Sequence, residues 1–227
     1  MSIVRVRQHV NPLSGKYKQP VAPPNWTQVY AKQQPLHLDI GCARGNFMLV
    51  MAQQQPEWNF LGIEIRETLV NQANAVRAEL GLTNLHFLFC NANNSLQPLL
   101  ESLPPSALHC TTIQFPDPWF KKRHQKRRVV QPQVVEILAQ YLVPGGRVML
   151  QSDVEDVEVD MCDRFQAHPA FVRTELTWLA TNPFPVPTER EQFTLDKGEP
   201  VYRAVFEKIA DFQTELGHTH EVSQRRI

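Results

Sequence analysis

Leu36-His-Leu-Asp39-Ile-Gly41-Cys-Ala-Arg-Gly45 runs into Asn46–Gln54, stops at Pro56, and resumes as Asn59-Phe-Leu-Gly62-Ile63-Glu64. Leu36–Ile40 has the length and apolar content of a short buried strand, and a glycine turn ends it. Asn46–Gln54 reads as a helix that the proline terminates. Asn59–Ile63 reads as a second strand, closing on an acidic residue. Strand, glycine turn, helix and strand begin an alternation that favours a parallel sheet over a strand-only or helix-only fold.

The alternation continues outward. Glu67–Leu80 reads as a helix with small residues inside and Gly81 just past its end. Leu85–Cys90 is a third strand, and Ser95–Glu101 a short helix before Pro104-Pro105. Leu108–Phe115 is a fourth strand. Val129–Leu142 is a helix closed by Pro144-Gly145-Gly146, and Arg147–Gln151 a fifth strand. Glu155–Gln166 is a helix, and Phe171–Trp178 and Val201–Glu207 read as two late strands. The fold class expected is α/β: a Rossmann-like, doubly wound, mostly parallel seven-stranded sheet covered on both faces. In such sheets ligands sit at the carboxyl ends of the strands, near the switch point.

This domain is expected to span residues 36–208. Residues 1–35 are basic and hold Pro20, Pro23, Pro24 and Pro35, a composition that disfavours a regular core element. They are expected to form an arm that wraps the domain or stays mobile. Residues 209–227 form a polar tail with His218 and His220, expected to be frayed.

The chain has 227 residues, 42% hydrophobic and 20% charged, as in ordinary water-soluble domains. Its formal net charge is zero, so any polyanionic partner must be held by a local patch rather than by overall charge. Cys42, Cys90, Cys110 and Cys162 include no CxxC pair and read as buried free thiols in a reducing compartment. The N-terminus lacks an apolar signal core, and no apolar run approaches the roughly 18 residues needed to span a bilayer. A cytoplasmic protein with no membrane association is expected.

The strand ends carry the chemistry. Gly41 and Gly45 allow a close approach of backbone to ligand, and the helix after Gly45 offers free amides. Glu64 can accept hydrogen bonds from two ribose hydroxyls, a device shared by dinucleotide enzymes and adenosylmethionine enzymes. Asn91 can reach an adenine edge, or simply form a turn. After the fourth strand, Phe115-Pro-Asp117-Pro-Trp119 sets one carboxylate between two stiffening prolines. Lys121-Lys122-Arg123-His124-Gln125-Lys126-Arg127-Arg128 follows, with six permanently cationic side chains of eight, suited to phosphates or simply to a solvated face. Asp153 puts another carboxylate on the rim. Pro187-Thr188-Glu189-Arg190-Glu191 reads as a polar loop before the last strand.

Taken together, these residues resemble the tRNA (guanine-N7-)-methyltransferase family from about Leu36 to Glu207. The most specific part is Phe115–Trp119 with Lys121–Arg128; the Asp39–Gly45 loop, Gly62-Ile-Glu64, Ser152-Asp153 and Thr188–Glu191 follow the family's order. The resemblance implies a class I methyltransferase moving a methyl group from S-adenosylmethionine to N7 of a guanine in the tRNA variable loop, giving 7-methylguanosine. It implies Asp39, Gly41, Gly45, Glu64, Asn91 and Asp117 around the cofactor. Lys121, Asp153, Thr188, Glu189, Arg190 and Glu191 would contact substrate, and Arg123, His124, Gln125, Lys126, Arg127 and Arg128 would carry RNA. The family's first loop usually begins with glutamate and has glycine at the position of Ala43; aspartate usually stands where Asn91 does. Asp39, being shorter, is expected to meet the cofactor more loosely or through water.

N7 of guanine carries no proton, so no strong base is expected. Asp117 would serve as the catalytic group by stabilising positive charge developing on the base and by gripping its donors. No metal is required, tRNA is the expected partner, and the chain is expected to act as a monomer or homodimer. Three alternatives remain open. A nicotinamide oxidoreductase shares the glycine loop and Glu64 but leaves Phe115–Trp119 without a role. An amino-group methyltransferase often carries two prolines after its acidic or amide residue, where Asp117 has one. A non-catalytic RNA-binding module would hold tRNA without transferring a methyl group.

Overall fold

In the computed structural model, residues 10–209 are described. The tail reading for 210–227, His218 and His220 included, and residues 1–9 of the arm lie outside them. Seven strands form one sheet: β1 (Leu36–Ile40), β2 (Asn59–Glu64), β3 (Leu85–Phe89), β4 (Leu108–Gln114), β5 (Arg147–Ser152), β6 (Phe171–Arg173) and β7 (Tyr202–Lys208). Their order is β3-β2-β1-β4-β5-β7-β6. Pairing is parallel from β3 to β5, and β7 runs antiparallel to both β5 and β6. The α/β, doubly wound, mostly parallel seven-stranded sheet is therefore present.

Helices α2 (Asn46–Gln54), α3 (Glu67–Glu79), α4 (Ala92–Glu101), α5 (Pro132–Tyr141) and α6 (Glu155–Gln166) follow successive strands; α1 (Trp26–Val29) precedes the sheet and α7 (Glu189–Asp196) precedes β7. The period-two alternation of strands divides the core between the two faces. On β2, Leu61 and Ile63 join Leu96, Leu138 and Met161 from α4, α5 and α6. Phe60, on the opposite face, joins Met48 and Val70 from α2 and α3.

Several boundaries differ from the sequence reading. Helix α4 starts at Ala92 rather than Ser95, because the Asn91 side chain caps it by accepting from Asn93 N at 3.2 Å. Pro132 sets the start of α5, three residues later than Val129. Strand β6 ends at Arg173 instead of reaching Trp178; at Thr174 both the backbone N–H and the hydroxyl bond to Val205 O, and Leu176 stands exposed. The proline-rich segment does contain a core element. Trp26 and Tyr30 stack at 5.9 Å, Trp26 Nε1 donates to Ser102 Oγ at 2.8 Å, and Tyr30 Oη donates to Phe60 O at 3.0 Å. Pro187–Glu191 is not a plain loop either. Thr188 Oγ1 accepts from Glu191 N at 3.1 Å, so the segment is the capped first turn of α7. All four cysteines are free, and no helix among the described residues is long and apolar enough to cross a membrane.

Candidate active site

Strands β1 to β3 are laid down toward one edge of the sheet and β4 onward toward the other, so the strand order switches between the parallel neighbours β1 and β4, and one pocket lies over the carboxyl ends of β1, β2, β3 and β4. Its wall includes Gly41, Glu64, Arg66, Asn91, Gln114, Asp117 and Trp119. The turn after β1 is built for close approach. Gly41 has φ 87° and Gly45 φ 77°, and a Cβ on Gly41 would meet nothing within 4 Å. At Gly45 a Cβ would sit 2.5 Å from the Phe87 ring, so that glycine also serves helix–sheet packing. Ala43 adopts φ 50°, a left-handed position that favours glycine. Ala43 thus holds, with a side chain, a backbone conformation that glycine adopts without strain.

Glu64 closes β2 and is 3% exposed. Its carboxylate accepts from Ala43 N at 3.0 Å and from Arg66 N and Nε, both at 2.9 Å, with Arg66 Nη2 at 3.0 Å. This ties the glycine turn to β2 and brings an arginine into the pocket wall. Arg66 was not singled out by sequence; a basic residue two positions past the ribose-type acid was the available signal. Asn91 Nδ2 donates to Pro12 O at 3.1 Å and Tyr17 O at 3.3 Å. Val10 and Pro12 consequently reach the pocket rim, and the described part of the arm closes over the end of β3.

Asp39 lies beneath the pocket rather than in its wall. Its Oδ1 accepts from Thr112 Oγ1 at 2.7 Å, and His37 Nε2 meets the same hydroxyl at 3.1 Å. Burial raises the Asp39 carboxyl to about 6, against the stabilising Thr112 bond, with nearby Glu64 adding to the rise. Burial lowers His37 to about 3, so this ring is a neutral member of an aromatic group with Phe47, Phe60 and Phe184.

The Phe115–Trp119 loop leaves β4 at the pocket edge. Phe115 and Trp119 both take left-handed backbone, φ 48° and 43°, a conformation that costs non-glycine residues on the order of 1 kcal/mol or more each. Phe115 N donates to Gln151 O at 2.7 Å and anchors the loop to β5. Arg127 lies 4.9 Å over the Trp119 ring, with His124 edge-on to it at 6.0 Å. Lys122–Arg127 form a 3-10 helix. Lys121, Lys122, Arg123 and Lys126 are exposed, and His124, Gln125 and Arg127 partly so. The His124 imidazole is pushed below its ordinary range by partial desolvation and by the positive charges of Arg127, Arg123, Lys121 and Lys126. Arg128 departs from the expected cationic face: it is 6% exposed, a buried guanidinium rather than a surface one.

The expected substrate residues split similarly. Arg190 Nε donates to Asp153 Oδ2 at 2.9 Å, and Asn46 Nδ2 donates to Glu189 Oε1 at 2.6 Å, so α7 reaches both β5's end and the start of α2. Glu191, by contrast, is 1% exposed and pairs with Arg203 Nη2 at 2.6 Å. Gln151 Nε2 at 3.2 Å and Asn182 Nδ2 at 2.6 Å donate to its other oxygen. Gln114, Gln151 and Arg203 stand side by side on β4, β5 and β7. Sequence reasoning passed over that row, although each is a polar residue within or at the end of an apolar strand.

Comparison with known proteins follows the same pattern. A family model described as a putative methyltransferase matches residues 33–204. Proteins described as tRNA (guanine-N(7)-)-methyltransferase from Trichormus variabilis and a Nostoc species are each 63% identical to this chain. Those alignments cover 92% of this chain and 99% and 96% of theirs, respectively. Among solved structures, the 16S rRNA methyltransferase KamB matches with a TM-score of 0.55 at 16% identity, over 81% of this chain and 92% of that one. The [4+2]-cyclase SpnF matches with a TM-score of 0.54 at 13% identity, over 82% and 78%. A cyclase and a methyltransferase on one scaffold mean that the fold alone does not select the reaction.

Proposed function

Because the chain belongs to the tRNA (guanine-N(7)-)-methyltransferase family, we propose that its pocket transfers a methyl group to N7 of a guanine in the variable loop of tRNA, leaving 7-methylguanosine. The carrying observation is the Phe115–Trp119 loop: one carboxylate between two prolines, beside the cleft at the strand ends and a row of exposed cations. The cleft suits S-adenosylmethionine. Gly41 leaves open space at the turn, Glu64 is a buried carboxylate at the end of β2 suited to ribose hydroxyls, and Asn91, whose amide is engaged with Pro12 O and Tyr17 O, lines the wall past β3 where the adenine would lie. Bound there, the cofactor supplies an electrophilic methyl group on a sulfonium sulfur.

The chain's own residues then have positioning and electrostatic work. N7 presents a lone pair and no proton, so no side chain must remove one. Asp117 holds the guanine's donor groups and offers negative charge as the base becomes cationic. Most of the acceleration comes from aligning nucleophile and methyl group in a stiff frame. Lys121, Asp153, Thr188, Glu189 and Arg190 form the substrate side; Arg123, His124, Gln125, Lys126 and Arg127 meet the RNA backbone. Glu191 acts from beneath, through its pairing with Arg203. The reading takes tRNA as partner and the cytoplasm as the place of action, with the chain a monomer or homodimer.

Incubation of bulk tRNA with methyl-labelled S-adenosylmethionine, followed by nucleoside analysis, tests this. Label in 7-methylguanosine is expected, and Asp117→Ala should lower the rate by about a hundredfold or more without changing the unfolding transition. Label in another nucleoside would replace the reading, and none at all would favour a binding module.

A further inference from the structure

Arg128 ends a run of cations but is not placed as a surface cation. Its side chain is 7% exposed, so its donors need partners inside the protein. Nε donates to Pro118 O at 2.9 Å, and Nη1 pairs with Asp160 Oδ2 at 3.0 Å. Asp160 stands on α6 and also receives Arg164 Nη2 at 3.1 Å, so its carboxylate is fixed between two guanidinium groups. Pro118 directly follows Asp117.

The loop thus has two backbone anchors. Phe115 N is held by Gln151 O on β5, and Pro118 O is held by Arg128. Only Pro116 and Asp117 lie between them. The left-handed residues Phe115 and Trp119 flank this short span, and such backbone persists only where the surroundings over-determine it. A rigid, charged fork spanning a carbonyl and a carboxylate meets that need, and lysine's single ammonium group cannot reproduce it.

We propose that Arg128 is a positioning residue for methyl transfer: with Asp160 as its footing on α6, it fixes the Pro118 carbonyl and thereby the direction of Asp117. This rests on the reading of Asp117's loop as the transfer site. Arg128 acts through the loop and makes no phosphate contact, unlike the exposed cations preceding it.

Kinetics of Arg128→Met, Arg128→Lys and Asp160→Asn on tRNA across a salt series separate these roles. Arg128→Met should lower kcat by about tenfold to a hundredfold, with KM for tRNA within about twofold of the parent and an unchanged salt slope. Arg128→Lys should recover only part of kcat. Lys126→Ala should do the converse, raising KM and flattening the slope. A raised KM with a flattened slope in Arg128→Met would make Arg128 a phosphate contact and overturn the proposal. If Arg128→Met does not fold, Asp160→Asn decides: a folded variant with full kcat would also overturn it. Amide exchange reads the loop without requiring activity. The Asp117 and Trp119 amides should exchange about tenfold faster in Arg128→Met and unchanged in Lys126→Ala. A wild-type chain that makes no 7-methylguanosine would defeat the functional reading, whereas unchanged exchange in Arg128→Met would defeat this one.

Discussion

Asp39 carries its carboxylate where charge is disfavoured. Burial lifts it to about 6 from an ordinary 3.8, although the Thr112 hydroxyl donates to it. The folded chain therefore binds this proton more tightly than the unfolded chain does. The associated stability is complete below about pH 4 and is lost as pH rises through about 6. Asp39→Asn keeps an oxygen to accept from Thr112 and removes the charge. It should match the parent near pH 4 and exceed its stability above pH 6 by on the order of 2 kcal/mol. Urea unfolding at several pH values measures this, and a difference independent of pH would show that Asp39 titrates normally. The sequence identified Asp39 as a strand-end acid near the cofactor loop. It did not reveal whether the carboxylate faces the pocket or the sheet, because that depends on Thr112, which is 73 residues away.

At the level of elements, α7 shows how a motif can be visible and still be misread. Thr188 and Glu191 have the spacing of a helix N-terminal cap, yet the polar composition around them resembles a connector. Their helical state matters because it sends successive side chains in different directions. Glu189 and Arg190 reach Asn46 and Asp153 at the rim, while Glu191 turns inward to Arg203. Arg203→Met strands a buried carboxylate and should cost about 3–5 kcal/mol, with KM for tRNA rising as α7 loosens. Joining it to Glu191→Leu removes both charges and should return most of that stability, because hydrophobic replacement of a complete buried pair is often close to neutral. Denaturant midpoints of the single and double variants test this; equal losses in both would mean that the stranded carboxylate is not what destabilises Arg203→Met. Strand β6 is the reverse case. Its apolar run suggests a longer strand, but this edge strand has one neighbour; Thr174 N still reaches Val205 O in register, and the next backbone bond to β7 comes only from Leu179 N to Arg203 O, so the segment between them leaves the sheet.

Across the whole molecule, 23 basic and 23 acidic residues cancel, so RNA affinity must come from where charge is placed. Lys121, Lys122, Arg123 and Lys126 are exposed beside Asp117's loop. Replacing Lys122, Arg123 and Lys126 together by alanine should weaken tRNA binding. It should also reduce the slope of log affinity against log salt by about 0.7–0.9 for each phosphate no longer neutralised. Filter binding over a salt series measures it, and an unaltered slope would remove this face from the interface. The order of strands and helices, the glycine turn, the acid closing β2 and the loop after β4 were all legible in the chain, because local periodicity and turn chemistry act over neighbouring residues. The division of labour within the charged motifs was not. Whether Arg128 meets solvent or Pro118, whether Glu191 meets substrate or Arg203, and whether Asn91 is open or closed over by residues 10–18 follow from contacts between distant segments. Composition records the charge of a side chain, but only packing determines which partner removes that charge from water.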